Sequence, residues 1–164
     1  MRKQDVAILV TLSSFFLCAL LNIYNANAQT QPTGEDAKRL VGLWRLVSIT
    51  TLDGKIEPTR GANPKGLIYY SPSGHMIVQI SPGRERKLAG PKPTGEEALA
   101  ALLGYTAYFG TYTIDEKAKV VKHDQWGTVQ PGPVESRDRT YEFAPGNRLI
   151  LKGGTSILTW ERVK

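Results

Sequence analysis

Cysteine is nearly absent from this chain, whose 164 residues include one, Cys18, within an apolar N-terminal stretch. If that stretch is removed, no disulfide can brace the remaining chain, even in an oxidising compartment. The folded part must therefore be stabilised by burial of its own core. We expect no lipid anchor at Cys18, because the bulky Leu17 precedes it where a lipoprotein signal needs a small residue.

Long hydrophobic runs are also missing, apart from Val6–Leu21. Arg2 and Lys3 precede this run, and small residues in an A-x-A pattern end at Ala28. These three parts are typical of a secretory signal peptide, which predicts cleavage after residues 1–28. An uncleaved anchor is the alternative, but a spanning helix needs roughly 20 apolar residues. We therefore expect an exported protein, periplasmic or secreted, without a stable membrane anchor after cleavage.

Clustered positive charge is missing too, although Lys and Arg outnumber Asp and Glu by 21 to 15. The basic residues are scattered, apart from a group at 84–87 in a stretch flanked by proline and glycine. A solvated loop explains that group better than a nucleic-acid surface does. We expect no nucleic-acid partner.

Signatures of common enzyme and metal sites are likewise absent. The sequence has no nucleophile elbow, and the glycines at 61 and 66 lack the spacing of a phosphate-binding loop. His75 and His123 are the two histidines, and no closely spaced ligand motif accompanies them. We therefore expect neither a metal nor a cofactor. A zinc site built from both histidines and a carboxylate such as Asp124 or Glu142 is the less favoured alternative.

What the chain does contain is a series of strand patterns. A bulky and β-branched run over 40–51 is typical of a first strand. Segments 66–70 and 75–80 flank the turn residues 71–74 and predict a hairpin. Similar patterns predict five further strands, at 108–114, 119–126, 137–143, 148–152 and 156–162.

One short helix is predicted between the third and fourth strands, over Ala98–Leu103 with Thr94 as its N-cap. Eight strands with short antiparallel connections predict an all-β, up-and-down barrel, because closure removes exposed edges. A barrel of this size can hold one small ligand, and an open sandwich is the structural alternative. We assign 29–39 to a flexible mature N-terminus and 40–164 to the barrel domain.

Several motifs together resemble the landmarks of the bacterial and fungal lipocalin-like domain family. They are Gly42-Leu43-Trp44, the segment 66–76, Tyr108-Phe109-Gly110-Thr111-Tyr112 and Val121-Lys122-His123. The resemblance runs from about Leu40 to the end and implies a calycin-type antiparallel barrel with a central cavity, but no single activity or catalytic set. Similarity to the true lipocalins also implies that Trp44 packs beneath Arg162 and holds the barrel closed. A frayed, unpaired Arg162 is the alternative.

Five residues are candidates for binding a ligand in such a cavity: Tyr69, Tyr112, His123, Arg139 and Tyr141. Tyrosines inside a barrel supply apolar walls with hydroxyl groups at their tips. Arg139 alternates with Tyr141 and suits a carboxylate, although arginines more often point outward. His123 is the candidate catalytic residue, as a general base, with a polar, hydrogen-bonded wall residue as the alternative.

Three functions remain open from the sequence. The first is binding of a small apolar or amphipathic molecule in the cavity. The second is a small-barrel enzyme, of cyclase, isomerase or hydratase type, that uses the same cavity. The third is a structural or interaction barrel without a ligand. A cavity of about 300 Å³ or more, lined by His123 and several tyrosines, favours the first two, and a filled interior favours the third. The oligomeric state stays open.

Overall fold

A computed structural model describes residues 33–85 and 89–164, and the predicted signal peptide lies outside them. In these residues, eight antiparallel strands close into one barrel in sequence order, β1 to β8, with β8 paired back to β1. The strands are β1 (Gly42–Thr51), β2 (Lys65–Tyr70), β3 (His75–Ser81), β4 (Thr106–Asp115), β5 (Val120–Thr128), β6 (Arg137–Ala144), β7 (Arg148–Gly153) and β8 (Ser156–Arg162). The predicted up-and-down barrel is thereby confirmed.

The described residues also form two helices, α1 (Glu35–Leu40) and α2 (Gly95–Leu102). The helix predicted between the third and fourth strands is confirmed as α2, and Thr94 is its N-cap. The Thr94 hydroxyl accepts from the Glu97 backbone N–H at 3.2 Å, and the Glu97 carboxylate accepts from the Thr94 N–H at 2.7 Å. In the described part of the chain, neither helix has the length and apolar character needed to cross a bilayer.

Helix α1 corrects the expectation that 29–39 is flexible, as far as the structure describes that segment. Ala37 and Leu40, three positions apart on one helix face, have no exposed surface. The Asp36 carboxylate accepts a hydrogen bond from the Tyr141 hydroxyl at 2.7 Å and forms an ion pair with Lys119. These contacts tie α1 to the barrel, so the helix covers one of its two ends.

A bulge in β1 changes which side chains face the interior. Trp44 and Leu46 are buried, and simple alternation predicts Ser48 on the same face and Ile49 on the other. Instead Ile49 is buried and Ser48 is half-buried, because the pairing with β8 shifts between Leu46 and Ser48. The extra residue, Val47, moves every later side chain of β1 to the opposite face.

The end of the barrel beneath α1 is closed by an aromatic and cationic contact. The Arg162 guanidinium carbon lies 4.2 Å from the centre of the Trp44 ring. Arg162 Nη1 donates to the Val41 carbonyl at 2.8 Å, and the indole N–H of Trp44 donates to the Leu40 carbonyl at 2.8 Å. With this end closed, access to the interior is from the other end of the strands.

Candidate functional site

An interior cavity of about 230 Å³ lies toward the end of the barrel away from α1. Six aliphatic side chains line it: Ile49, Ile68, Val78, Ile80, Leu151 and Leu158. Thr106 and Ser156, at strand ends, and Thr155 in the β7–β8 turn also line it. The cavity volume is smaller than the ~300 Å³ expected for a ligand site. One tyrosine, Tyr108, lines the cavity, rather than several. The interior is nevertheless not filled by its own side chains.

Two tyrosine hydroxyls hold His123 on the wall of this cavity. The Tyr70 hydroxyl lies 2.8 Å from Nε2 of His123, and the Tyr108 hydroxyl lies 2.8 Å from Nδ1. The histidine has no exposed surface. Burial lowers its pKa to about 3, and the positive charges of Arg139 and Arg137 act in the same direction. The imidazole is therefore neutral at physiological pH.

The three side chains form an uncharged hydrogen-bonded row. A neutral imidazole has one donor and one acceptor nitrogen, so one tyrosine donates to it and the other accepts from it. Burial raises the pKa of Tyr70 well above its ordinary value and also raises that of Tyr108. Both hydroxyls therefore stay protonated, and neither histidine nitrogen is free to take a proton from a substrate.

Three arginines line the same cavity: Arg137 and Arg139 from the inner face of β6, and Arg60 from the loop after β1. Arg137 is the register partner of His123, and its guanidinium carbon lies 5.8 Å from the centre of the Tyr108 ring. Arg60 donates to the Gly104 carbonyl. The cavity thus combines an aliphatic wall with a cationic one.

The cationic wall is poorly matched by acidic groups. No Asp or Glu is among the described residues that line the cavity. Arg60 has one distant partner, Glu57, with 3.9 Å between Nε and the carboxylate. In the described ranges, Arg137 and Arg139 form no ion pair. Burial lowers the pKa of Arg60, and the charges of Arg139 and Arg137 lower it further although Glu57 opposes them.

The structure brings together two of the five predicted ligand-binding residues, His123 and Arg139. Tyr112 is buried, but its hydroxyl donates to the Ser71 carbonyl at 2.8 Å and is not part of the cavity wall. Tyr141 donates to Asp36 beneath α1. Tyr69 lies on the outer wall, 41% exposed, which corrects its expected interior position. Successive strand residues alternate faces, and its neighbour Tyr70 takes the inward place.

Sequence reasoning missed other residues that line the cavity or support its wall. Arg60 gave no local signal, because it lies in an irregular loop among glycine and proline. Tyr70 and Tyr108 lie in predicted strands, but their hydrogen bonds to His123 depend on the closure of the barrel. Trp160 lines the cavity, is 1% exposed, and its indole N–H has no hydrogen-bond partner in the described chain. Alternation with Leu158 along β8 is the sequence signal that could have identified it.

The zinc alternative has no geometric support in the described residues. His75 Nδ1 lies 2.9 Å from the Ser73 hydroxyl, and its ring stands edge-on to Trp126 with 5.3 Å between centroids. His123 is enclosed inside the barrel with its two tyrosines. Across 33–85 and 89–164, no three His, Cys, Asp or Glu side chains come close enough to share a metal ion.

A closed eight-stranded antiparallel barrel with a small interior cavity is the architecture of small-molecule-binding barrels. A family model described as a lipocalin-like domain matches residues 41–163. The chain therefore belongs to the lipocalin-like domain family, as its motifs predicted. Searches of curated proteins and of solved structures gave no significant match.

Proposed function

We propose that this chain is an exported lipocalin-like protein that binds a small amphipathic molecule inside its barrel. The observation that carries the proposal is the unfilled interior volume of about 230 Å³ between aliphatic and polar walls. Apolar walls with a few polar groups are typical of ligand sites. The volume lies below the ~300–1,000 Å³ of drug-sized sites, so the ligand is compact.

The surroundings of His123 favour binding over the enzyme alternative. A general base needs an available nitrogen lone pair and a pKa near the working pH. Both ring nitrogens of His123 are engaged by tyrosines, and its pKa is about 3. The unfilled cavity, in turn, argues against a barrel that serves only as a structural element.

Adjacent residues on β3 give a matched test of binding in the cavity. Val78 lines the cavity, whereas Ile77 points outward and is 59% exposed. Native mass spectrometry of the protein purified from its own source is expected to show a co-purified molecule. Val78→Phe fills the cavity and should abolish that signal, whereas Ile77→Phe should preserve it.

A second variant that obstructs the cavity controls for the possibility that Val78→Phe disturbs the fold. Thr106 is half-buried at the start of β4 and also lines the cavity, so Thr106→Phe obstructs it with less disturbance of the core. Circular dichroism and thermal unfolding establish that each variant is folded. Retention of the same molecule by folded Val78→Phe and Thr106→Phe would contradict binding in this cavity.

Export is supported by the charged, apolar and small-residue parts of 1–28, a segment outside the described residues. The intact mass of protein recovered from its own source tests this part separately. We expect a mature chain that begins at Gln29 and is found outside the cytoplasm. Recovery of the unprocessed chain from the cytoplasm would overturn export and leave the binding proposal intact.

A further inference from the structure

The cationic wall of the cavity indicates which chemical group the ligand carries. We propose that the ligand is a compact amphipathic carboxylic acid, and that Arg139, Arg137 and Arg60 bind its carboxylate. This inference rests on the proposed function, because it names the chemical class of the molecule that enters the same cavity.

The first support is that space is provided for the Arg139 guanidinium. Gly153, at the end of β7, lines the cavity beside it. A Cβ atom added at Gly153 would lie 2.8 Å from Nη1 and 3.1 Å from Cγ of Arg139. Glycine therefore leaves room for the arginine to lie across β7 while still facing the cavity.

The second support is unbalanced charge. Three guanidinium groups share a small cavity in which the described lining residues include no carboxylate. Mutual repulsion and partial burial are unfavourable for such a cluster, as the lowered pKa of Arg60 shows. A bound anion supplies the missing negative charge, and a low-dielectric cavity strengthens that attraction.

The third support is a neutral donor among the lining residues. Trp160 lines the cavity, and its buried indole N–H has no acceptor among the described residues. A buried donor without an acceptor is destabilising. An oxygen atom of a ligand seated against Trp160 would satisfy it. Such a contact would favour an oxygen-bearing ligand, in agreement with the arginines.

A carboxylate fits this site better than a larger anion does. Arginine presents parallel N–H groups that match the two oxygens of a carboxylate. The aliphatic side chains of β1, β2, β3, β7 and β8 leave space for a small hydrocarbon body. These features together favour a short aromatic or branched-chain acid.

Isothermal titration of the full chain with two probes of the same shape tests the inference. The probes are 3-phenylpropanoate and the neutral 3-phenylpropan-1-ol. We expect the acid to bind at least about tenfold more tightly, as charge-assisted hydrogen bonds predict. Added salt should reduce this preference. Tighter binding of 3-phenylpropyl phosphate than of the acid would overturn the assignment to a carboxylate.

Substitutions of the cavity arginines test whether these residues cause the tighter binding of the acid. Arg139→Gln should remove the preference for the acid, so that the acid and the alcohol bind about equally. Arg137→Gln, at an exposed strand position, repeats the test with little risk to the fold. The control is Arg148→Gln, because Arg148 alternates with the buried Leu149 on β7 and lies outside the cavity. It removes one positive charge and should leave both affinities unchanged.

A spectroscopic measurement tests the tryptophan donor. The acid should shift the indole N–H signal of Trp160 in a ¹H–¹⁵N spectrum, which Trp160→Phe assigns by removing it. Equal affinity for acid and alcohol, unaffected by Arg139→Gln, would overturn the inference and leave the proposed function standing. Binding of neither probe, with no co-purified molecule, would contradict both.

Discussion

The Arg162 guanidinium stacks on the Trp44 indole with 4.2 Å between its carbon and the ring centre, joining the last strand to the first. The same guanidinium donates to the carbonyls of Val41 and Arg39, at the end of α1. One side chain therefore connects the two strands that close the barrel with the helix that covers its end. Burial lowers the pKa of Arg162, but an arginine remains charged at every relevant pH.

Removal of this side chain is expected to weaken the closed end. Arg162→Ala should lower the free energy of unfolding by about 1–3 kcal/mol, because it loses the stacking contact and two charge-assisted hydrogen bonds. Arg162→Lys should recover only part of that loss, since an ammonium group lacks the planar fork. Urea unfolding measures both. Arg148→Ala is the control, and an equal effect there would contradict the specific role of Arg162.

The Asp36 carboxylate predicts a pH-dependent contribution of α1. Lys119 lowers the pKa of Asp36, burial opposes this effect, and the Tyr141 hydroxyl lowers the pKa further. Because the pKa of Asp36 is lowered in the folded state, its carboxylate stabilises the fold at pH values above its ordinary pKa of about 3.9. This stabilisation is lost as the pH falls through the folded-state pKa. Asp36→Asn should therefore cost about 1–3 kcal/mol at pH 7 and less below pH ~4.

Chemical unfolding at pH 7 and pH 3 measures that difference. Asp53→Asn is the matched control, because Asp53 pairs with Lys55 at an exposed site, with 56% of its side-chain surface exposed. Exposed pairs contribute about 0–1 kcal/mol, so this control should change little at either pH. Equal losses for the two variants would show that the Asp36 contacts have no special stabilising role.

The buried His123 predicts a second pH dependence in a different range. Its folded-state pKa is about 3, below the ordinary value of 6.5. Between these values the unfolded chain binds a proton that the folded chain excludes, so stability falls as pH decreases, by up to ~1.4 kcal/mol per unit. His123→Gln should flatten this slope between pH 6.5 and 4, whereas His75→Gln should retain it. An unchanged slope in His123→Gln would assign the pH dependence to other groups.

The N-cap of α2 predicts a local effect that is separable from barrel stability. Thr94→Ala removes a capping hydroxyl, which typically costs about 0.5–2 kcal/mol of helix stability. Because α2 has no buried residues, this loss should appear as faster amide hydrogen exchange within the helix while global unfolding is unchanged. Thr113→Ala, in β4, provides a control that should not affect exchange in α2. A lowered global stability in Thr94→Ala would show that α2 is coupled to the barrel.

The strand order was predictable because its signals are local. The Ser71–Gly74 turn is one example, since Gly74 adopts a φ of 80° that glycine accommodates without strain. The alternation in β6 is another, because it predicts Arg139 and Tyr141 on one face, as the burial pattern of the strand shows. Turn chemistry and alternation depend on neighbours in the chain, so they can be recognised without a three-dimensional structure.

The site was less predictable because its contacts join distant segments. Arg60 reaches the cavity from a loop with no regular pattern, and it meets β6 residues more than 70 positions away. Tyr69 and Tyr70 are adjacent residues of the same type. The register of β2 turns Tyr69 outward and Tyr70 toward His123. The bulge at Val47 similarly depends on the pairing of β1 with β8.

The sequence by itself determined the eight strands, the helix between β3 and β4 and the family, because each follows from short-range spacing of apolar, turn-forming and motif residues. Only the tertiary structure decided which polar groups share the interior. Closure of the barrel fixes the strand register, and that register brings Tyr70, Tyr108 and His123 together and turns the arginines of β6 toward an unfilled cavity. The chemistry of the site therefore arises from side chains that meet only after the first strand pairs with the last.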